Sequence, residues 1–206
     1  MPIQSFEFCS FSYLNFWISN DQFYCKAFEG NNEDEKLKAL KDVSVKYGIA
    51  RNFPLCYDEQ KSIRRFIPVL KIIDKYTNSD VDTAEKIEKI AEEISGEYGG
   101  RGLKSATTKF LWAKFKIPVI IYDSQAKIAL GVKSADLIEY YNKWRECFNT
   151  NRSGVENACC KLLELHEYAI KNNGQNVTKE YIKSISEQRW FQERVLDFYL
   201  WNKGNL

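Results

Sequence analysis

No stretch of this 206-residue chain alternates apolar and polar residues for long enough to lay down a half-buried strand. The spacing that recurs is that of a helix. Leu37, Leu40, Val43 and Tyr47 predict a helix over 34–47, stopped by Gly48. Ile63, Phe66, Ile67, Leu70 and Ile73 predict another over 58–76, with Pro68 kinking or splitting it. Ala84, Ile87, Ile90, Ala91 and Ile94 predict a third over 81–98, capped by Ser79 or Asp80. The expected fold is all-α, with at most one short extended piece at 117–122.

The remaining chain extends the pattern. Nine aromatic residues between Phe6 and Phe28 predict one or two short helices packed on the body of the fold. A helix is expected over 104–115, and Ser134 is a ready N-cap for one over 135–148, with Trp144 facing inward. The run at 149–154, NTNRSG, predicts a linker, followed by a helix over 155–171 and a turn at 172–176. Thr178 opens a short helix, and a last helix over 187–201 ends at Gly204. One helical domain accounts for 1–206. The alternative is two lobes, about 30–100 and the terminal helices, arranged around a central segment at 99–133.

Composition narrows the functional classes. Hydrophobic residues make up 44% and aromatic ones 15%, enough for a real core, so wholesale disorder is excluded. The first residues show no basic region followed by an apolar run, and the longest apolar stretch, 117–122, is far short of a membrane span. A cytoplasmic protein without a membrane partner is expected. Six cysteines lack any CxxC spacing and only His166 could join them, so no metal site is expected and the thiols read as reduced and mostly buried. Walker loops, dinucleotide fingerprints, HExxH and nucleophile elbows are absent.

The segment 99–133 stands apart. It holds seven basic residues against Asp123 alone, in a chain whose net charge is only +2. Such a segment is a candidate surface for a polyanion, or a set of lysines spread over solvated helix faces. Gly96, Gly99, Gly100 and Gly102 put four of the ten glycines within seven residues. Between two helices such a cluster lets backbone amides approach a phosphate, or simply makes a tight turn. Lys109 follows among Phe110, Leu111, Trp112 and Phe115. A lysine there is either a snorkelling side chain with a wet head or a desolvated amine. To be a nucleophile near neutrality its pKa must fall from about 10.4 to 7 or 8, roughly 3 to 5 kcal/mol of environmental work. Asp123 precedes a helical pattern and is a natural N-cap, which holds a carboxylate ionised.

In this order the parts resemble the helix-hairpin-helix DNA glycosylase superfamily, most of all its 8-oxoguanine-glycosylase-like bacterial branch. The likeness rests on Ala106-Thr107-Thr108-Lys109-Phe110-Leu111-Trp112 followed by Ile120-Ile121-Tyr122-Asp123-Ser124-Gln125-Ala126, about thirty residues in all. It implies a compact multi-helix domain and a double-stranded DNA partner. It implies Lys109 as a Schiff-base nucleophile at the sugar C1′, Asp123 as the assisting carboxylate, and a phosphate-gripping hairpin at Gly99, Gly100 and Gly102. Arg101, Lys104 and Lys116 would be further phosphate contacts. The flipped base would stack on Trp112, Tyr122, Trp144 or an N-terminal Phe. The four-cysteine cluster of some members is missing, so no iron–sulfur cofactor is expected. Against a glycosylase stand two other readings, a DNA-binding module without catalysis and a helical protein-interaction module. The target base and the oligomeric state are left open.

Overall fold

Helix α6, Lys104–Phe115, is buried on every side from Ala106 to Ala113. A helix buried on all sides belongs in the interior of a bundle, and α6 lies within one of two compact units. The computed structural model describes residues 5–61, 63–100, 102–171, 174 and 176–206. One unit comprises 23–122 and the other 1–22 with 123–206. The division falls between Tyr122 and Asp123, inside the segment the sequence singles out. The fold is predominantly helical, with one two-stranded sheet among the described residues.

In the 23–122 unit, α2 (Gln22–Glu29) leads to α3 (Glu33–Lys46). Asn32 caps α3 by accepting from the amides of Asp34 and Glu35, and three acidic residues in the first turn suit the helix dipole. Of the helical stretch expected over 58–76, kinked or split at Pro68, the second part is a helix and the first is not. Its first part is a hairpin of β1 (Cys56–Asp58) and β2 (Ile63–Arg64). Asp58 Oδ1 accepts from the Lys61 amide at 3.1 Å, so this aspartate closes a turn instead of capping a helix. Pro68 then lies in the first turn of α4 (Ile67–Ile73), where its missing N–H is no loss. Thr83, and neither Ser79 nor Asp80, caps α5 (Ala84–Glu97). The extended run at 117–122 is irregular backbone with a cis Ile117–Pro118 bond and joins no sheet. Phe53, Phe66, Tyr98 and Phe110 pack ring against ring, with centroids 4.9–5.9 Å apart.

The other unit comprises α1 (Phe6–Phe16) and a π-helical turn at Trp17–Asp21, then α7 (Ser124–Ala129) and α8 (Leu137–Lys161). A 3₁₀ stretch (Leu162–Tyr168), α9 (Lys179–Ser186) and α10 (Arg189–Gly204) complete it. Asp136, not Ser134, caps α8. The expected linker at 149–154 runs helical in the middle of α8, and Gly154 meets Phe6 there: a Cβ would lie 3.2 Å from the Phe6 ring. Gly204 is also a packing glycine and no C-cap. A Cβ there would overlap the Gln125 backbone, so the end of α10 lies directly on α7. Thr178 caps α9 as its sequence predicts. Of the turn expected at 172–176, Asn172, Asn173 and Gln175 lie outside the described residues.

Cys9, Cys25 and Cys159 are buried, Cys56 and Cys147 are half-buried and Cys160 is exposed. Among the described residues no helix is long and apolar enough to cross a membrane.

Candidate active site

Two consecutive residues of α6 build the catalytic candidate in the 23–122 unit. Lys109 is only 3% exposed, so it is not a snorkelling side chain with a wet head. Its Nζ donates to Ser105 Oγ at 2.7 Å, one turn back on the same helix, and to the Tyr122 carbonyl at 3.3 Å. The Tyr47 ring centroid lies 5.9 Å from the ammonium. Thr108, beside it, donates to the Ser105 carbonyl and accepts from the Tyr122 amide at 3.0 Å. Neighbouring side chains of α6 thus hold both backbone groups of Tyr122. The carbonyl that Lys109 holds is the one bonded to the nitrogen of Asp123.

Asp123 opens α7 in the other unit and caps it: Oδ1 accepts from the Gln125 amide at 2.9 Å. Behind the cap is a buried polar network that the sequence reading missed. Asp197 accepts from Trp144 Nε1 at 2.7 Å and from Arg194 Nη1 at 2.6 Å. Arg194 also lies 4.0 Å from Asp21, which accepts from the Tyr13 hydroxyl at 3.5 Å. Burial raises the Asp197 pKa; Arg194 and Trp144 work against the shift, and the charge of Asp123 adds to it. Burial also pushes the Tyr140 hydroxyl well above its usual range, helped by the charges of Asp197 and Asp123. The signal available in sequence was an Arg–Asp pair three apart on a helix whose other residues face a core.

The hairpin between α5 and α6 lies wholly in the 23–122 unit. Gly99 and Gly100 take left-handed backbone, φ +77° and +75°, and the Gly100 amide returns to the Ser95 carbonyl at 2.8 Å. That is a glycine-terminated helix end, so the tight turn accounts for these two glycines by itself. Gly99, Gly100 and Gly102 are exposed, and a Cβ on any of them would meet nothing within 4 Å. No side chain caps the start of α6. Arg101 lies outside the described residues.

The lysines of the segment are more committed than their count suggests. Lys104 pairs with Glu88, and Lys116 lies 3.5 Å from Glu29. Lys114 donates to the Ile73 and Tyr76 carbonyls at the end of α4 and lies 3.2 Å from Asp74. Burial lowers its pKa, and Asp74 opposes the shift.

The three aromatic candidates also separate. Trp112 is buried within α6. Trp144 is buried too, stacked on Phe148 at 5.4 Å with its N–H bound to Asp197. Tyr122 alone of the three is half-buried and keeps exposed surface. Burial raises its hydroxyl pKa, while the charge of Lys104 works the other way.

Set against protein-family models, curated proteins and solved structures, the chain matches none.

Proposed function

We propose that the chain is a DNA N-glycosylase of helix-hairpin-helix type, taking a modified or damaged base of the 8-oxoguanine kind. The observation that carries this reading is Lys109: an amine withdrawn from water, aimed by Ser105 and the Tyr122 carbonyl, on the helix that follows an exposed glycine hairpin. Nζ attacks the sugar C1′. The C1′–N bond breaks, its electron pair leaves with the base, and the base is protonated. Nζ, attacking as the neutral amine, gives up one proton to the departing base and the other to the ring oxygen as the sugar opens, which leaves an imine. Asp123, fixed at the start of α7, stabilises the positive charge that develops at the sugar.

The exposed turn at Gly99, Gly100 and Gly102 lets a phosphate approach the backbone, and because the Gly100 amide is held by the Ser95 carbonyl, Gly99 and Gly102 supply the donors. Tyr122 is the stacking platform of choice, because Trp112 and Trp144 are already packed. Lys104 and Lys116 contact phosphate only by exchanging Glu88 and Glu29 for it. DNA binding is therefore salt-dependent but shallow in slope, each phosphate contact contributing about one.

Those two internal pairs favour a second reading, a helical module that binds a partner without base chemistry. Borohydride reduction on duplexes carrying an abasic site, 8-oxoguanine or other altered bases separates the readings. A covalent adduct with the wild-type protein, absent in Lys109→Gln, is the glycosylase result. DNA binding with neither adduct nor base release is the module result. No DNA affinity even at low salt removes both DNA readings and leaves protein interaction.

A further inference from the structure

A cleft of about 320 Å³ opens in the 23–122 unit, lined by Asn52, Phe53, Pro54, Tyr57, Glu97 and Tyr98. Neither Lys109 nor another basic side chain is among these lining residues. Three of its walls are rings set across one another: Tyr98 meets Phe53 at 88° with centroids 4.9 Å apart, and Tyr57 at 72° with centroids 5.6 Å apart.

Each wall is held. The Tyr98 hydroxyl donates to the Arg65 carbonyl at 2.7 Å, and Arg65 Nη2 donates to the carbonyls of Phe53 and Ala50. The Tyr57 hydroxyl donates to Glu97 Oε2 at 2.5 Å, which fixes this half-buried ring beside the carboxylate. That carboxylate keeps the Tyr57 hydroxyl protonated by raising its pKa.

Of the side chains that line the cleft Glu97 is the charged one; Arg65 lies behind the wall, its guanidinium bound to the Phe53 and Ala50 carbonyls. Glu97 is the last residue of α5, where the helix dipole is negative, and no basic residue stands in that last turn. Asp58 also reaches Tyr57, but Lys61 lies 3.4 Å from it, so Glu97 is the acid left facing a ligand. Aromatic faces attract cations through their quadrupole, and a tyrosine donating its proton to a carboxylate presents a more electron-rich ring. Glycine hairpins favour anions; this neighbouring site favours the opposite charge.

We infer that the Phe53–Tyr57–Tyr98 cleft, with Glu97 at its wall, is a binding site for a small organic cation bearing a methylated ammonium head. The cleft is at the small end of ligand sites, enough for such a head and a short chain. Lysine-like primary ammonium ions, strongly hydrated, bind less well than quaternary ones.

The test titrates the full chain with choline and with its neutral carbon isostere, 3,3-dimethyl-1-butanol, following the ring resonances of Tyr57 and Tyr98 by NMR. Choline moves both rings to saturation at millimolar concentration, and the neutral isostere binds at least about tenfold more weakly. Glu97→Gln, at an exposed position, keeps the fold and weakens choline about tenfold. Tyr57→Leu weakens it further. Equal binding of choline and the alcohol, an unchanged affinity in Glu97→Gln, or rings that do not move with either probe overturns the inference. None of these outcomes depends on DNA binding or on Lys109.

Discussion

Two pairs of glycines, one pair in each unit, do opposite jobs. At the hairpin of the 23–122 unit, Gly99 and Gly100 are needed for their backbone angles, in open space. In the unit formed by 1–22 and 123–206, Gly154 and Gly204 have ordinary helical backbone and are needed because something else occupies the place of a side chain. The first pair leaves backbone exposed at a turn. The second pair brings helices together, in the unit that encloses a charged network around Asp197. An exposed turn and a packed helix contact have different requirements, and these two examples fall in different units.

Substitutions can break that contrast. Asp197→Ala, which leaves Arg194 buried without its closest acid, is expected to cost about 3–5 kcal/mol in urea unfolding. Gly204→Ala drives a methyl into the Gln125 backbone and is expected to cost about 3 kcal/mol, disturbing α7 and the Asp123 cap with it. Gly154→Ala presses on the Phe6 ring, which can shift by a few tenths of an ångström, so about 1 kcal/mol is expected. Gly99→Ala and Gly100→Ala meet nothing, and only the left-handed backbone opposes them, at about 1 kcal/mol or less. Should the hairpin variants prove more damaging than Gly204→Ala, the division of labour is wrong.

The gentlest probe is pH. Asp197 binds its proton more tightly in the folded chain than a free aspartate does. The folded state therefore holds the extra proton, and this group's contribution to stability is present at low pH and lost as pH rises through the raised pKa. Because Trp144 donates to Asp197, a fluorescence titration should show a step with its midpoint above 3.8, missing in Asp197→Asn.

Local signals carried much of this architecture. The bounds of α6 follow from its sequence, and Asp123 and Thr178 are caps because their side chains reach an amide two or three residues on. Where the outcome depends on distant contacts, the same reasoning fails. Residues 149–154 have linker composition, yet Phe6, far away in sequence, makes Gly154 a packing position and the helix runs on. Asp58 has the composition of a helix start and closes a hairpin turn. The charge count of 99–133 gave no sign that Glu88, Asp74 and Glu29 come from other elements to meet its lysines. Whether Lys109 is wet or dry is likewise settled by the burial of α6 on all sides, which no local pattern reports.

The central claim is that Lys109 is the nucleophile, and locating the covalent bond tests it most directly. Wild-type protein is reduced with borohydride on a duplex bearing an abasic site, digested, and the cross-linked peptide is sequenced by mass spectrometry. The account predicts the sugar remnant on Lys109 within the α6 peptide, with no adduct in Lys109→Gln. An adduct on another lysine, or one that persists in Lys109→Gln, contradicts it.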